Sequence, residues 1–381
     1  MDFKLSEDLE LWRKTAREFT DNEVAPYDEE MDRANDLSWD IIHKMSDAGM
    51  FGIPYPEEYG GSNMGSLAGA ITIEELARGS ASIALTLDAH WLATDPIYLF
   101  GTDEQKKKYL PDLVSGKKLA AFALTEPGAG SDAAGIVSTA VRDGDHWVLN
   151  GTKAWITNGG AAEVYVIAVK TDKTKGARGI STFIVEKGTP GFSIGKKEDK
   201  MGCRGSVTTE LILDNCRIPE SNLLGKEGEG FKIAMIALDF GRACVGAMGV
   251  GTAQSVMEKA ARYANQRQAF GGPLAKLQAI QFKIADMAMG IEAARLMVYH
   301  AAWKRDQGQR YSQEAAMAKV FGAEVAMEAC REAIQIFGGN GYSRDYPVER
   351  CLRDAKLLEI GEGASEVLRM VIGSTTLRQF A

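Results

Sequence analysis

Cysteine and histidine are scarce in this sequence of 381 residues. The five cysteines are odd in number, widely scattered and include no C-x-x-C pair, so a reduced, cytoplasmic protein is the simplest interpretation. None of the four histidines has the spacing of a helical metal-binding pair. We therefore expect no metal site.

Long apolar runs and an excess of positive charge are also absent. The formal net charge is −8 and the pI is about 5.3, which argues against nucleic acid or an anionic membrane as the main partner. The first residues mix acidic and apolar side chains, and every apolar stretch is shorter than a membrane span. We expect neither a secretory signal nor a transmembrane helix.

Two helical regions flank a region of strand-like periodicity. Residues 1–117 are predicted to be helical, with Ser38 as one helix cap and Thr102 with Gln105 as a capping box. Residues 118–228 contain short β-branched or aromatic runs between turn residues, which predicts an antiparallel, barrel-like β domain. These runs are residues 119–126, 146–150, 153–157, 163–170, 179–186 and 207–214.

Helical spacing returns in residues 229–381. Apolar residues recur there at steps of three and four positions, as expected for long amphipathic helices. Examples are Leu277, Ile280, Ile284, Met287 and Ile291, and then Ala316, Val320, Ala323 and Met327. We predict a C-terminal four-helix bundle with subunit contacts, and a multidomain α+β protein overall.

Glu362 is a single carboxylate inside an apolar run. Leu357, Leu358 and Ile360 precede it, and Val367 and Leu368 follow closely. A poorly solvated carboxylate has a raised pKa and is a stronger base than free glutamate. The alternative interpretation is a helix-start residue beside two glycines.

Two segments of the β region are suited to holding a flat polar ring. The stretch TEPGAGSD offers backbone N–H groups and the hydroxyls of Thr125 and Ser131. Trp155 and Thr157 lie two residues apart, so they share one face of a strand. The alternative interpretation of TEPGAGSD is a plain connection between two strands that turns at its glycines. The alternative for Trp155 is a tryptophan in the core.

These motifs, with the RQAF run from Arg267 and the C-terminal segment from Gln335, resemble the acyl-CoA dehydrogenase family from about Ser6 to about Arg378. The resemblance implies FAD as the cofactor, with the Thr157 hydroxyl near the flavin nitrogen that accepts hydride. The flavin ring would be held by Phe122, Leu124, Thr125, Gly130, Ser131, Trp155, Ile156 and Thr157. The remaining cofactor contacts implied are Arg267, Phe270, Gln278, Gln335, Gly338 and Gly339 of a neighbouring subunit, and Ala364 and Glu366. Ala364 stands where the family usually has threonine, so one hydroxyl is missing.

The resemblance also implies the reaction, which is α,β-dehydrogenation of an acyl-CoA. Glu362 falls on the position of the usual catalytic base. In some branches of the family the base lies at the position that corresponds to Gly241, which has no side chain and cannot take this role here. Ser131, Asp239, Arg242 and Gly363 match substrate positions, although Arg242 could equally form an ordinary ion pair. Electrons would pass to an electron-transfer flavoprotein from a homotetramer, a dimer of dimers. An oxidase or desulfinase on the same scaffold, and a catalytically silent helical binding protein, stay as alternatives.

Three residues depart from the family pattern near the acyl group. Gly361 replaces a common tyrosine, which should widen the pocket. Asp88 and Asp95 lie in a segment that is usually uncharged. The simplest interpretation of Asp95, which precedes Pro96, is a helix N-cap. The simplest interpretation of Asp88 is a location on the surface. The alternative is that one aspartate faces the substrate as an auxiliary base, which would suit an alicyclic acyl-CoA such as a cyclohexane- or cyclohexene-carboxyl-CoA rather than a plain short-chain or branched one.

Overall fold

The structure is a computed structural model that describes residues 4–381. Six α-helices form its N-terminal part: α1 Glu7–Phe19, α2 Asp28–Ala34, α3 Trp39–Asp47, α4 Gly65–Gly79, α5 Ala81–Phe100 and α6 Asp103–Val114. The predicted caps are confirmed. The Ser38 side chain accepts from the N–H of Ile41 at the start of α3, and Thr102 and Gln105 form a reciprocal capping box on α6.

The central part is an eight-stranded sheet. Its strands are β1 Ala120–Ala123, β2 Thr139–Asp143, β3 His146–Thr157, β4 Val164–Lys170, β5 Ile180–Glu186, β6 Phe192–Lys197, β7 Thr208–Pro219 and β8 Leu223–Leu224. Their order is β6-β7-β3-β2-β4-β5-β8, and β1 pairs with β4. Pairing is antiparallel except that β1 and β2 run parallel to β4. The two runs predicted at 146–150 and 153–157 form the single strand β3, and the sequence did not predict β2, β6 and β8.

The C-terminal part is a bundle built around α7, which spans Gly230–Gln266. A short hairpin follows, with β9 at Gln268–Ala269 and β10 at Gly272–Pro273, and then α8 Gln278–Asp306, α9 Ser312–Phe337, α10 Val348–Ile360 and α11 Ser365–Arg378. Glycines let α7 and α9 approach closely: a Cβ on Gly322 would lie 2.7 Å from the carbonyl oxygen of Gly246. By length and composition α7 could cross a membrane, but 83% of its most apolar window is buried, as a bundle core requires.

Helix α5 joins the three parts and contradicts one prediction. It packs on α7, β1 and α6, and it continues through Pro96 to Phe100. Asp95 is therefore in the helix interior, and its interpretation as an N-cap is wrong. His90 is buried in the same helix, where Nδ1 accepts from the N–H of Ala120 and Nε2 donates to the carbonyl of Leu113. That residue is a neutral structural link between helix and sheet, and burial lowers its pKa to about 3.

Candidate active site

Glu362 lies at the junction of α10 and α11. Its backbone has φ +54° and that of Gly363 has φ +106°, so the chain makes a sharp turn that projects the side chain toward α7. The residue is partly exposed, but its carboxyl oxygen Oε2 is enclosed and accepts no N–H or O–H from residues 4–381. Burial raises the pKa of the Glu362 carboxyl. The predicted poorly solvated carboxylate is present.

Two cationic side chains hold the backbone of this turn. Arg242 Nε donates to the carbonyl oxygen of Glu362 at 3.2 Å, and Lys319 Nζ donates to that of Gly363 at 2.7 Å. Arg242 also pairs with Asp239 one helical turn earlier, at 3.0 Å, and Ser312 donates its hydroxyl to the same aspartate. The ion pair considered for Arg242 exists, and it belongs to a network that ends on Glu362.

Asp88 lies beside Glu362, and its predicted surface location is wrong. It projects from α5, is completely buried, and its carboxyl group is within hydrogen-bonding reach of that of Glu362. The Cys244 thiol also lies near the Asp88 carboxyl group. Burial and the neighbouring Glu362 charge raise the pKa of Asp88 well above its ordinary value. Because burial raises the pKa of both carboxyl groups and the two groups interact directly, they titrate as a coupled pair.

Asp95, by contrast, is neutralised by protein groups. One oxygen accepts from the Tyr55 hydroxyl at 3.1 Å and the other from Arg305 at 2.6 Å. The guanidinium of Arg305 in turn lies over the ring of Phe240, 3.8 Å from its centroid. Burial raises the pKa of Asp95, while Arg305 and Tyr55 oppose this shift. This carboxylate is engaged on both sides, so the structure gives it a packing role.

Glycines create the space around the Glu362 carboxyl group. A Cβ on Gly241 would overlap Oε2 of Glu362, so this position must be glycine when the carboxylate comes from residue 362. A Cβ on Gly361 would meet only Leu357, at 3.5 Å or more. The missing side chain at 361 therefore leaves open volume on the Leu357 side of this turn.

The segments predicted to hold a flat ring form one edge of the sheet. At Trp155 strand β3 has a bulge with φ +60°, which turns the indole outward. Trp155 is 60% exposed, so the core interpretation is wrong, and Thr157 is half-buried. The TEPGAGSD loop does connect β1 to β2, and within the described chain the N–H groups of Gly130 and Ser131 donate to no protein acceptor. An exposed indole, a hydroxyl and free N–H groups together fit the edge of a flavin.

A buried ion pair that sequence reasoning missed supports this loop. Lys153 is fully buried, and its ammonium group donates to Glu126 at 2.7 Å and to the carbonyl of Leu124 at 3.0 Å. Glu126 also accepts from the N–H of Val137 at 2.6 Å. Strand alternation was the available signal, because Lys153 has the same parity as the buried residues Trp147 and Leu149.

The second group of predicted cofactor residues lies at one end of the bundle. Phe270 is at the tip of the β9–β10 hairpin, 91% exposed with φ +52°, and Gln278 begins α8 while Gln335 ends α9. Lys283 pairs with Glu332, which brings these two helix ends together. No hydrogen bond, ion pair or ring contact within residues 4–381 joins this group to Trp155 or Thr157. Ala364 and Glu366 stand apart from both, at the start of α11.

Comparison with known proteins covers nearly the whole chain. Family models of the acyl-CoA dehydrogenase N-terminal, middle and C-terminal domains match residues 6–117, 121–216 and 228–377. The short-chain specific acyl-CoA dehydrogenase of Clostridium acetobutylicum is 46% identical over 379 residues, 99% of this chain and 100% of that protein. The butyryl-CoA dehydrogenase structure from Megasphaera elsdenii has a TM-score of 0.97 and 46% identity, with 99% and 100% of the two chains covered.

A third similar chain comes from the structure "Electron transferring flavoprotein of Acidaminococcus fermentans: Towards a mechanism of flavin-based electron bifurcation". Its TM-score is 0.98 and its identity 49%, over 99% of this chain and 100% of that one. At this level of identity and coverage, the three matches extend through all the segments described above.

Proposed function

Because the chain belongs to the acyl-CoA dehydrogenase family, we propose that it oxidises an acyl-CoA between the α- and β-carbons with Glu362 as the base. The observation that carries this proposal is the enclosed Glu362 carboxyl group. It sits above the gap left by Gly241, and Arg242 and Lys319 hold its backbone in place. A carboxylate with a raised pKa and a fixed position is equipped to remove a weakly acidic α-proton.

The residues around Glu362 supply the rest of the acid–base chemistry. The N–H of Glu362 donates to no acceptor within residues 4–381, so it is free to donate to the thioester oxygen, where negative charge develops as the proton leaves. Burial on the α5 side excludes water from the carboxylate, which prevents it from being solvated and weakened as a base.

The cofactor is FAD, which accepts the hydride from the β-carbon when bound. On the flavin side, the residues that would hold it are Phe122, Leu124, Thr125, Gly130, Ser131, Trp155, Ile156 and Thr157. The exposed indole and the free N–H groups of this edge support that assignment. Arg267, Phe270, Gln278, Gln335, Gly338 and Gly339 would hold the other half of an FAD bound to a neighbouring subunit. Within residues 4–381 no hydrogen bond, ion pair or ring contact joins them to Trp155, which supports a shared site.

The acyl group is short-chain or alicyclic. The similar proteins named short-chain specific and butyryl-CoA dehydrogenase support a short chain. Asp88 and Gly361 support a ring: Gly361 leaves volume beside Glu362, and Asp88 provides a second carboxyl group at the same position. A ring can present a second acidic carbon to Asp88 while Glu362 faces the α-carbon, which a straight short chain cannot do.

The protein acts as a homotetramer, a dimer of dimers, and passes electrons to an electron-transfer flavoprotein. An exposed apolar stripe along α8 supports assembly with further copies, because residues seven positions apart face the same side of a helix. The stripe consists of Phe282, Met289, Leu296 and Trp303. A cytoplasmic location stays a prediction.

Anaerobic titration of the purified yellow protein with acyl-CoA esters tests this function. Bleaching of the flavin absorbance by butyryl-CoA or by cyclohex-1-ene-carboxyl-CoA is expected, and the faster ester identifies the acyl class. Re-oxidation in air faster than by an electron-transfer flavoprotein would favour the oxidase alternative. A colourless protein that takes up no FAD would instead support a silent scaffold.

A further inference from the structure

Lys319 is buried without an anionic partner. It projects from α9, has no exposed surface, and no carboxylate lies within ion-pair distance of it in the described part of the chain. Its Nζ makes one direct contact, the 2.7 Å hydrogen bond to the carbonyl oxygen of Gly363. Lysine is rarely buried completely unless it is paired, so this position calls for an explanation beyond packing.

The carbonyl that Lys319 holds belongs to a strained turn. Glu362 has a left-handed backbone with φ +54°, which a residue with a Cβ adopts reluctantly. Such a backbone persists only where the surroundings fix it. Arg242 fixes the Glu362 carbonyl and Lys319 fixes the next one. The two cations together determine the direction in which the Glu362 side chain leaves the turn.

The charges around Lys319 come from three helices. Glu362 and Glu359 face it from the end of α10, Glu366 from α11 and Arg242 from α7. Asp88, on α5, also lies beside Glu362. Burial lowers the pKa of Lys319 to about 8, which still leaves the ammonium form dominant at pH 7. Its positive charge opposes the upward shift that burial imposes on the pKa of Glu362.

We infer that Lys319 is a positioning residue for Glu362: its ammonium group fixes the Glu362–Gly363 turn and places a positive charge beside the buried Glu362 carboxyl. This inference rests on the proposed function, in which Glu362 is the base. The hydrogen bond from Lys319 to the Gly363 carbonyl governs the direction of the Glu362 side chain. The charge of Lys319 governs the pH at which Glu362 loses its proton and can act as a base. The two contributions separate experimentally.

Three variants isolate them. Lys319→Met removes donor and charge while keeping a linear apolar side chain, and Lys319→Gln retains an N–H donor without the charge. Lys14→Met, at an exposed lysine on α1, serves as the control. The first readout is single-turnover flavin reduction by butyryl-CoA across pH, with substrate affinity measured separately. The second readout is an infrared titration of the Glu362 carboxyl, assigned as the band missing from Glu362→Gln, which needs no turnover.

Lys319→Met is expected to lower the plateau rate of flavin reduction about 10-fold or more, with substrate affinity changed less than about 3-fold. In Lys319→Met, the acid limb of the pH–rate profile and the pKa of Glu362 measured by infrared titration should both move up by roughly one pH unit, because a nearby positive charge has been removed. Lys319→Gln should recover part of the plateau rate and keep the raised acid limb. Lys14→Met should match the unmodified protein.

An unchanged rate, acid limb and infrared pKa in Lys319→Met would overturn the inference, as would a lowered rate with an unmoved Glu362 pKa. If Lys319→Met does not fold, the acid limb and the infrared pKa of Glu362 in Lys319→Gln test the inference instead. Failure of the proposed function is distinguishable, because the unmodified protein would then leave its flavin oxidised with every acyl-CoA, while the infrared titration would still report on Lys319.

Discussion

Asp88 and Glu362 place two buried carboxyl groups against each other, although they lie on α5 and at the end of α10. Within residues 4–381 no N–H or O–H group donates to either oxygen of Asp88. A buried carboxyl without a donor lowers stability, because the folded protein must keep it protonated or carry an unpaired charge. An unfavourable group held at a site is a common sign of function.

Asp88→Asn should increase stability and change substrate preference. Folding raises the pKa of Asp88 above its ordinary value of 3.8. Protonated Asp88 therefore contributes fully to the stability of the protein only below about pH 4, and this contribution is lost as the pH rises toward the pKa of Asp88 in the folded state. The melting temperature of Asp88→Asn minus that of the unmodified protein should therefore be larger at pH 8 than at pH 5. Thermal unfolding at the two pH values measures this.

The same variant tests the alicyclic hypothesis. The Asn amide can still donate to Glu362, so turnover of butyryl-CoA should stay within about 3-fold, whereas loss of a second acid–base group should slow a cyclic acyl-CoA by about 100-fold or more. Steady-state assays with both esters provide the comparison. Equal, normal turnover of both would remove the only charged support for an alicyclic substrate.

Asp95→Asn should damage the fold rather than the chemistry. It leaves Arg305 largely buried without its anion, and breaking a buried pair costs about 3–5 kcal/mol. Urea unfolding of the variant measures the loss, and the double variant Asp95→Asn with Arg305→Met should recover much of it. A stable Asp95→Asn protein that fails only on cyclic esters would instead return Asp95 to the substrate site.

Local pattern raised Glu362 and Trp155 as candidates, each with an alternative interpretation, but it did not show that Asp88 is buried beside Glu362. Glu362 stands alone among apolar neighbours, and the Trp155 segment carries a period-two strand pattern. Helix α5 is buried on nearly all sides, so it has no polar face against which a buried aspartate would stand out. Its partner is far away in the sequence, and only the packing of α5 on the bundle brings them together. Pro96 misled for a related reason, since tertiary packing holds a helix through a residue that usually ends one.

Lys153→Met should weaken flavin retention. Glu126 would stay buried in the loop without its cation, and its bonds to the N–H groups of Val137 and Ser138 would have to rearrange. We expect a loss of bound FAD on gel filtration and a melting temperature that no longer rises on adding FAD. Combining the change with Glu126→Gln removes the unpaired charge and should restore part of the binding. Full flavin content in Lys153→Met would show that the pair does not support the loop.

Arg267→Ala should reduce FAD content and tetramer stability together. Arg267 ends α7 beside the exposed hairpin that carries Phe270, where a charged contact to a neighbouring subunit's FAD pyrophosphate would be strong. Size-exclusion chromatography with flavin absorbance measures both quantities in one run, and Arg262→Ala, on the same helix, is a control. A tetramer of Arg267→Ala with its full flavin content would rule out a site shared in this way.

Glu362→Gln tests the assignment of the base most directly. The amide keeps the size of the side chain and the turn held by Arg242 and Lys319, but it cannot take a proton. Single-turnover flavin reduction by butyryl-CoA should fall about 100-fold to 10,000-fold, while the variant retains FAD and binds the acyl-CoA. Flavin bleaching at nearly the unmodified rate in Glu362→Gln would mean that another group removes the α-proton.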